Sequence, residues 1–322
     1  MRRSRRIETM DRGQGRTRVL IVAAALLCGA SSPTALPIRD ARWLQTLDLA
    51  ADLTHQPPEC RSHYADPATE HSAEIGRIAF RAPLLLGGQA ARAGLSCSTC
   101  HSNGRSNAHF HFPGLSGDPG TADVTASLMS SHRGDDIFDP KPIPDLAGDP
   151  AKLKVSRDPR KDDLKSFIHG LITQEFDGPE PPPAVLDGLA AYVRSLSPAA
   201  CKGLRSGPIR LSSMLDDVDR AMRLAQESYA GGDRATARVL IGAARSVLGK
   251  VDERFQLPGG ESSRSLLRDA DADLRAIELA QTVSPDAFRE WRHSWPARAH
   301  RLREAEPSSY FSEGVLRRTL AN

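Results

Sequence analysis

Aromatic residues make up only 5% of this 322-residue chain, and cysteine occurs just five times. So little cysteine excludes a disulfide-dense miniature scaffold, and three Trp, four Tyr and nine Phe identify no partner surface. A basic stripe is missing as well. Seven of the arginines fall in the first 30 residues against Glu8 and Asp11, a local +5 that leaves −2 of the net +3 for the rest. A mildly acidic remainder lacks the counterion-release drive for nucleic acid, so no nucleic-acid partner is expected. The longest apolar run, Val19 to Leu27, gives about 9 to 12 residues where roughly 20 are needed to span a bilayer. What remains is an ordinary globular composition, 39% hydrophobic and 26% charged, which excludes collagen, mucin and coiled coil. The length suits two domains at roughly 150 residues each.

The N-terminal order is that of a secretory signal: an Arg-rich stretch to Arg18, the apolar run, then Cys28-Gly29-Ala30 before Ser31. Cleavage after Ala30 makes residues 1–30 the signal and predicts export to the periplasm. An uncleaved signal would leave residual membrane association. Ser4-Arg5-Arg6 hints at a twin-arginine signal but lies far from the apolar run, and Leu27 is a poor residue before Cys28 for a lipoprotein site. Processing leaves Cys60, Cys97, Cys100 and Cys201 in an oxidising compartment.

Two of these fall in Cys97-Ser98-Thr99-Cys100-His101, the Cys-x-x-Cys-His sequence of c-type haem attachment. Two thiols on one turn of chain reach the two vinyl groups of a haem, and the adjoining imidazole is carried under the iron as proximal ligand. The expected cofactor is therefore one covalent haem c, bound by Cys97, Cys100 and His101. A thioredoxin-like redox pair would want a surrounding βαβ pattern, and half a zinc site would need a second Cys or His pair. Neither context is present.

Gly76 and Phe80 stand four apart on a short amphipathic helix with Ile75, Ile78 and Ala79 on its buried side. Val185 to Leu196 places Leu186, Leu189, Tyr192, Val193 and Leu196 at helical spacing between Pro183 and Pro198. Around the haem motif these residues resemble a cytochrome c domain, whose first and last helices cross where Gly76 lets the backbones approach. Gly76-Arg77-Ile78-Ala79-Phe80, the approach through Gly87, Gly88 and Gly94, and the closing Ala191-Tyr192-Val193-Arg194-Ser195-Leu196 resemble, over about residues 70 to 200, the bacterial di-haem cytochrome c peroxidase and MauG-like family. That family passes electrons from one haem to another, and this chain departs from it in having a single haem motif.

The sixth iron ligand separates electron transfer from small-molecule chemistry. Candidates are His109, His111, Met129, His132, His169, Met214 and Met222. The resemblance implies a ligand on a helix about twenty residues before the closing stretch. Leu164-Lys165-Ser166-Phe167-Ile168-His169-Gly170 stands there, with His169 in place of the family's Met. His169 is favoured, Met129 is the alternative, and an open position is the third reading; as a plain residue His169 would be a half-buried helix histidine. Bis-imidazole ligation predicts a low potential. His109 and His111 read as loop residues or propionate contacts, or as acid–base groups. Residues 113–150 read as a long loop over the haem edge, whose Asp135, Asp136, Asp139, Asp145 and Asp149 form turns rather than a calcium site.

Cys60 and Cys201 flank the crossing helices that the resemblance implies, so their ends can meet in a disulfide; two free thiols are the alternative. The expected organisation is an N-terminal extension over 31–69, a cytochrome c-like haem domain over 70–204 and an antiparallel α-helical bundle over 205–322, all-α throughout. Bundle helices are expected around Leu211 to Tyr229, Ala237 to Phe255, Leu267 to Ile277, and after Ser284-Pro285. Met214 and Met222 read as its core residues. The favoured function is a periplasmic mono-haem c-type cytochrome that moves one electron at a time, with a redox partner protein. A haem peroxidase or MauG-like oxidase with an open iron site, or a haem-based sensor, is the alternative.

Overall fold

Helix accounts for 57% of the computed structural model and strand for 6%, which makes the chain all-α. Residues 36–125, 128–280 and 284–321 are described; the expected signal, with Cys28, lies outside them. The helices are α1 (Leu49–Thr54), α2 (Pro67–Ala79), α3 (Gly88–Ala93), α4 (Cys97–Cys100), α5 (Asp163–Gly170), α6 (Pro183–Ser195), α7 (Leu211–Ala230), α8 (Arg234–Arg254), α9 (Glu261–Leu279), α10 (Pro285–Ala305) and α11 (Glu313–Leu320). Among the described residues, three two-residue antiparallel ladders pair His55–Gln56 with Gly207–Pro208, His101–Ser102 with Arg105–Ser106, and Thr121–Ala122 with Lys141–Pro142. No described helix is long and apolar enough to cross a membrane.

α2 starts where its sequence says it should. Asp66 accepts from Thr69 N at 2.9 Å, and Pro67 sits in the first turn, where its missing N–H costs nothing. α2 packs on α6 at a glycine pair: a Cβ on Gly76 would overlap the Gly188 carbonyl, and one on Gly188 would lie 2.6 Å from Ser72 O. Next to the crossing, Phe80 meets Tyr192 edge-on at 5.1 Å. A disulfide joins Cys60 to Cys201, with Cα atoms 5.0 Å apart. Backbone bonds zip the same ends together, from Ser197 N to Cys60 O and from Ser62 N to Ser195 O.

α7 buries Leu211, Leu215, Val218, Met222 and Ala225 on one stripe. Gly231-Gly232 then releases the chain to Asp233, which caps α8 by accepting from Thr236 N. α8 packs on α7 and α9, and α10 packs on both α7 and α9. One apolar cluster runs from Ile75, Phe80 and Tyr192 to Met222, Leu274 and Trp295, and residues 36–322 form one compact unit. Polar locks accompany it. Glu59 accepts from Arg77 Nε at 2.8 Å, Arg81 Nη2 at 2.9 Å and Tyr192 Oη at 2.7 Å, while Arg77 also reaches Asp217 on α7.

The N-terminal extension is not a loose lead-in. Ile38, Ala50 and Leu53 form a second small core with Tyr310 and Leu316 from the chain end. Arg254 lies buried between the two parts, donating to Leu53 O at 2.7 Å and Tyr310 O at 3.1 Å, with the Phe311 ring 4.8 Å away. Burial pushes its guanidinium down to about 10. Helix α11 has no counterpart in the sequence reading, because Val315, Leu316 and Leu320 are too few to announce an amphipathic helix.

Candidate functional site

Cys97 and Cys100 lie on the single turn of α4. Ser96 opens that turn with a capping box, its N–H bonding Thr99 Oγ1 at 3.0 Å. The chain leaves at His101 into a hairpin whose turn residues, Asn103 and Gly104, have φ of 51° and 78°. Asn-Gly is the pair that such a two-residue turn requires. Gly104 also has no room for a side chain, since a Cβ would lie 2.5 Å from Leu196 Cδ1. Sequence thus forces the imidazole and both thiols onto one tight element.

A second segment supports that element from behind. His101 Nδ1 lies 3.0 Å from Pro144 O. A carbonyl can only accept, so the proton is on Nδ1 and the lone pair is on Nε2. Arg105 grips Asp145 through Nε at 2.9 and 2.8 Å and Nη2 at 2.8 Å, and Leu146 N donates to Gly104 O at 3.0 Å. Phe80 stands 6.4 Å from the His101 ring.

Electrostatics favours neutral groups here. Burial pushes the His101 imidazole down to about 4, against the opposing pull of the Pro144 carbonyl and Asp145. Burial raises Cys97 to about 11 and, with Cys97 beside it, Cys100 to about 12. Reactive dithiols work the other way, by lowering the thiol pKa. The pair is unbonded and packs against the apolar cluster of Leu85, Leu95, Phe110 and Leu189. Two unbonded cysteines with raised thiol pKa and an imidazole on one tight element are unlike an activated redox dithiol.

The expected sixth ligands occupy different environments. His169 is on α5, its side chain 38% exposed and its Nε2 2.9 Å from Glu180. Its environment is that of a half-buried helix histidine. Met129 is 1% exposed and belongs to the main apolar cluster. Its segment is tied down by Ser130 Oγ to Gln174 O, Ser131 N to Asp177 at 2.8 Å, and Arg133 to Glu175. Gln174 and Glu175 lie in a π-helical turn, Leu171–Glu175, directly after α5, and such turns are frequent at functional sites. Burial raises the pKa of Glu175, whose Oε2 has no protein partner.

Other candidates have ordinary surroundings. His109 faces Asp52 at 3.7 Å, His132 faces Asp177 at 3.8 Å, and Met222 is buried on α7. Of the loop aspartates, Asp145 pairs with Arg105, Asp139 pairs with Lys141, and Asp135 and Asp149 accept turn N–H groups. Among the described residues no cluster of three or more His, Cys, Asp or Glu could hold a metal ion. A cavity of about 730 Å³ has Ser98, Thr99 and Asn103 in its lining, together with Arg77, Arg81 and Asp217. Neither cysteine of the motif nor His101 lines it.

Pro144, Arg105 and Asp145 were not legible as site residues. Arg105 is about forty positions from the adjacent Pro144 and Asp145, and only the fold brings them together. Gly188 carried a usable signal, a glycine inside an apolar helix. Comparison with family models, with curated proteins and with solved structures finds no match.

Proposed function

We propose that this chain is a mono-haem c-type cytochrome that transfers single electrons. In this reading residues 70–204 are a cytochrome c-like haem domain, and the helices from 205 onward form a bundle that supports it or docks a partner. Export to the periplasm, where a redox partner protein would meet it, belongs to the same proposal. The observation that carries it is the geometry of the motif, with His101 Nδ1 3.0 Å from Pro144 O and with Cys97 and Cys100 unbonded on the adjoining helical turn.

Cys97 and Cys100 would hold the group as thioethers and His101 would provide the proximal nitrogen. Haem c, when bound, supplies a one-electron iron couple. The protein's part is to fix one imidazole tautomer, to exclude water with Phe80, Leu95 and Leu189, and to keep the polar locks around Glu59 away from the thiols. For the sixth position we favour Met129 over His169. Met129 is buried in apolar surroundings, whereas His169 is half-exposed and engaged by Glu180. A thioether there would raise the potential relative to a bis-imidazole pair.

Full-length protein produced with a cytochrome maturation system tests the reading. A pyridine haemochrome spectrum and intact mass should report one covalent haem per chain, lost in Cys97→Ser with Cys100→Ser. A colourless protein, or one holding zinc at these residues, overturns it. The His169–Glu180 pairing also favours a second reading, with an exchangeable sixth position as in a peroxidase, a MauG-like oxidase or a haem sensor. A ferrous spectrum that changes on adding carbon monoxide would support that reading; an unchanged low-spin spectrum supports electron transfer.

A further inference from the structure

We propose that the Arg105–Asp145 ion pair is the positioning element that holds the Pro144 carbonyl on His101 Nδ1, and so sets how strongly the imidazole donates to iron. The inference rests on reading His101 as the proximal ligand. Residues 113–150 contain almost no regular structure; the ladder Thr121–Ala122 with Lys141–Pro142 is their one described pairing. A carbonyl on such a loop is not fixed in space by a helix or a sheet. Three links between the hairpin and the loop do the fixing: His101 to Pro144 O, Leu146 N to Gly104 O, and the forked Arg105–Asp145 contact between them.

The middle link is the strongest of the three. A guanidinium fork on a carboxylate is charge-assisted and fixes orientation as well as distance. Asp145 is itself held, because its Oδ1 accepts from Ala147 N at 3.0 Å. The third nitrogen of the same guanidinium, Nη1, lies 3.4 Å from Cys60 Sγ. Leu146 is separately tied through its carbonyl to Arg157 at 2.9 Å. Loss of the fork therefore loosens the Pro144–Asp145 peptide, while Ile143 N to Gly120 O at 2.9 Å and Leu146 N to Gly104 O at 3.0 Å keep the loop attached on either side.

A firm acceptor on Nδ1–H makes the opposite nitrogen a better donor, which stabilises ferric iron and lowers the potential. Releasing the carbonyl raises it. Charge alone predicts something different: removing the Asp145 carboxylate would raise the potential, while removing the Arg105 guanidinium would lower it. Arg105 is 35% exposed, so solvent screens its direct field, and the positioning effect should dominate.

The test is spectroelectrochemistry on full-length holoprotein carrying Asp145→Asn, Arg105→Gln, Arg105→Lys or the double change Arg105→Gln with Asp145→Asn. We expect the potential to rise in every case. The expected size for the Gln and Asn variants is about a tenfold shift of the one-electron equilibrium, about 59 mV, and the double change should add little because both break one link. Nitrogen-15 NMR of the ferrous protein should show faster exchange of the His101 Nδ1–H. Opposite shifts for Asp145→Asn and Arg105→Gln, or no shift, overturn the inference. Should Arg105→Gln fail to fold, Arg105→Lys retains the charge and loses only the fork, and an unmoved potential there is equally fatal. A wild-type chain without haem would instead defeat the functional reading beneath it.

Discussion

The Cys60–Cys201 disulfide closes a loop spanning 141 positions, and its removal should be among the more costly changes away from the core. For a closure of that length the chain-entropy relation gives about 5 kcal/mol as a ceiling, and native disulfides commonly contribute about 2–4 kcal/mol. Both sulfurs are buried, so Cys60→Ala with Cys201→Ala is preferable to serine, which would bury two hydroxyls. The native ends should stay together without the bond, because Ser197 N still reaches Cys60 O at 2.7 Å and Ser62 N reaches Ser195 O at 2.8 Å. The loss should therefore arise in the unfolded ensemble. Urea unfolding of the double variant should show a stability lower by about 2–4 kcal/mol. Stopped-flow kinetics should assign most of it to slower folding rather than faster unfolding. A loss below about 1 kcal/mol, or one confined to the unfolding rate, would refute the argument that the cross-link acts by restricting the open chain.

Gly76→Ala forces a methyl group into the Gly188 carbonyl; overpacking of about 1–3 kcal/mol should exceed the gain of about 1 kcal/mol in helix propensity, read as a lower urea midpoint. Glu59→Gln leaves Arg77 and Arg81 without their shared carboxylate and should cost about 3–5 kcal/mol by the same measurement. The two guanidiniums outweigh the burial of Glu59 and hold its carboxyl well below the usual range. A depressed folded pKa means that its contribution is complete above the unfolded value near 4.3 and fades as pH falls toward the folded one. Acid titration of Glu59→Gln should accordingly show a shallower loss of stability below about pH 4.3 than wild type. Met129→Ala should convert a low-spin visible spectrum to a ligand-responsive one, whereas His169→Ala should leave it unchanged; the reverse pattern restores His169 as the sixth ligand.

Helix content was legible because its signals are local. Gly231-Gly232-Asp233 divides two helices in a way that needs no tertiary partner, and the Cys-x-x-Cys-His motif carries its spacing within five residues. Gly76 was readable as a close-approach point, yet its counterpart Gly188 comes from a helix more than a hundred residues later. The same limit hid the support behind His101. Nothing near Arg105 announces Asp145, and a carbonyl such as that of Pro144 has no sequence signature at all. His169 was singled out by the position the resemblance implies, and no local signal announced Glu180, which follows the π-helical turn and stands 2.9 Å from its Nε2.

The small core that unites Ile38, Ala50 and Leu53 with Tyr310 and Leu316 constrains the order of events in the cell. The segment of Ile38, Ala50 and Leu53 cannot be sheltered until Tyr310 and Leu316 have been synthesised. During that interval the Cys97–Cys100 turn has already been produced while the architecture around it is still incomplete. Truncation before Tyr310 would prolong this state indefinitely, leaving apolar side chains exposed and offering proteases a substrate that the folded unit withdraws.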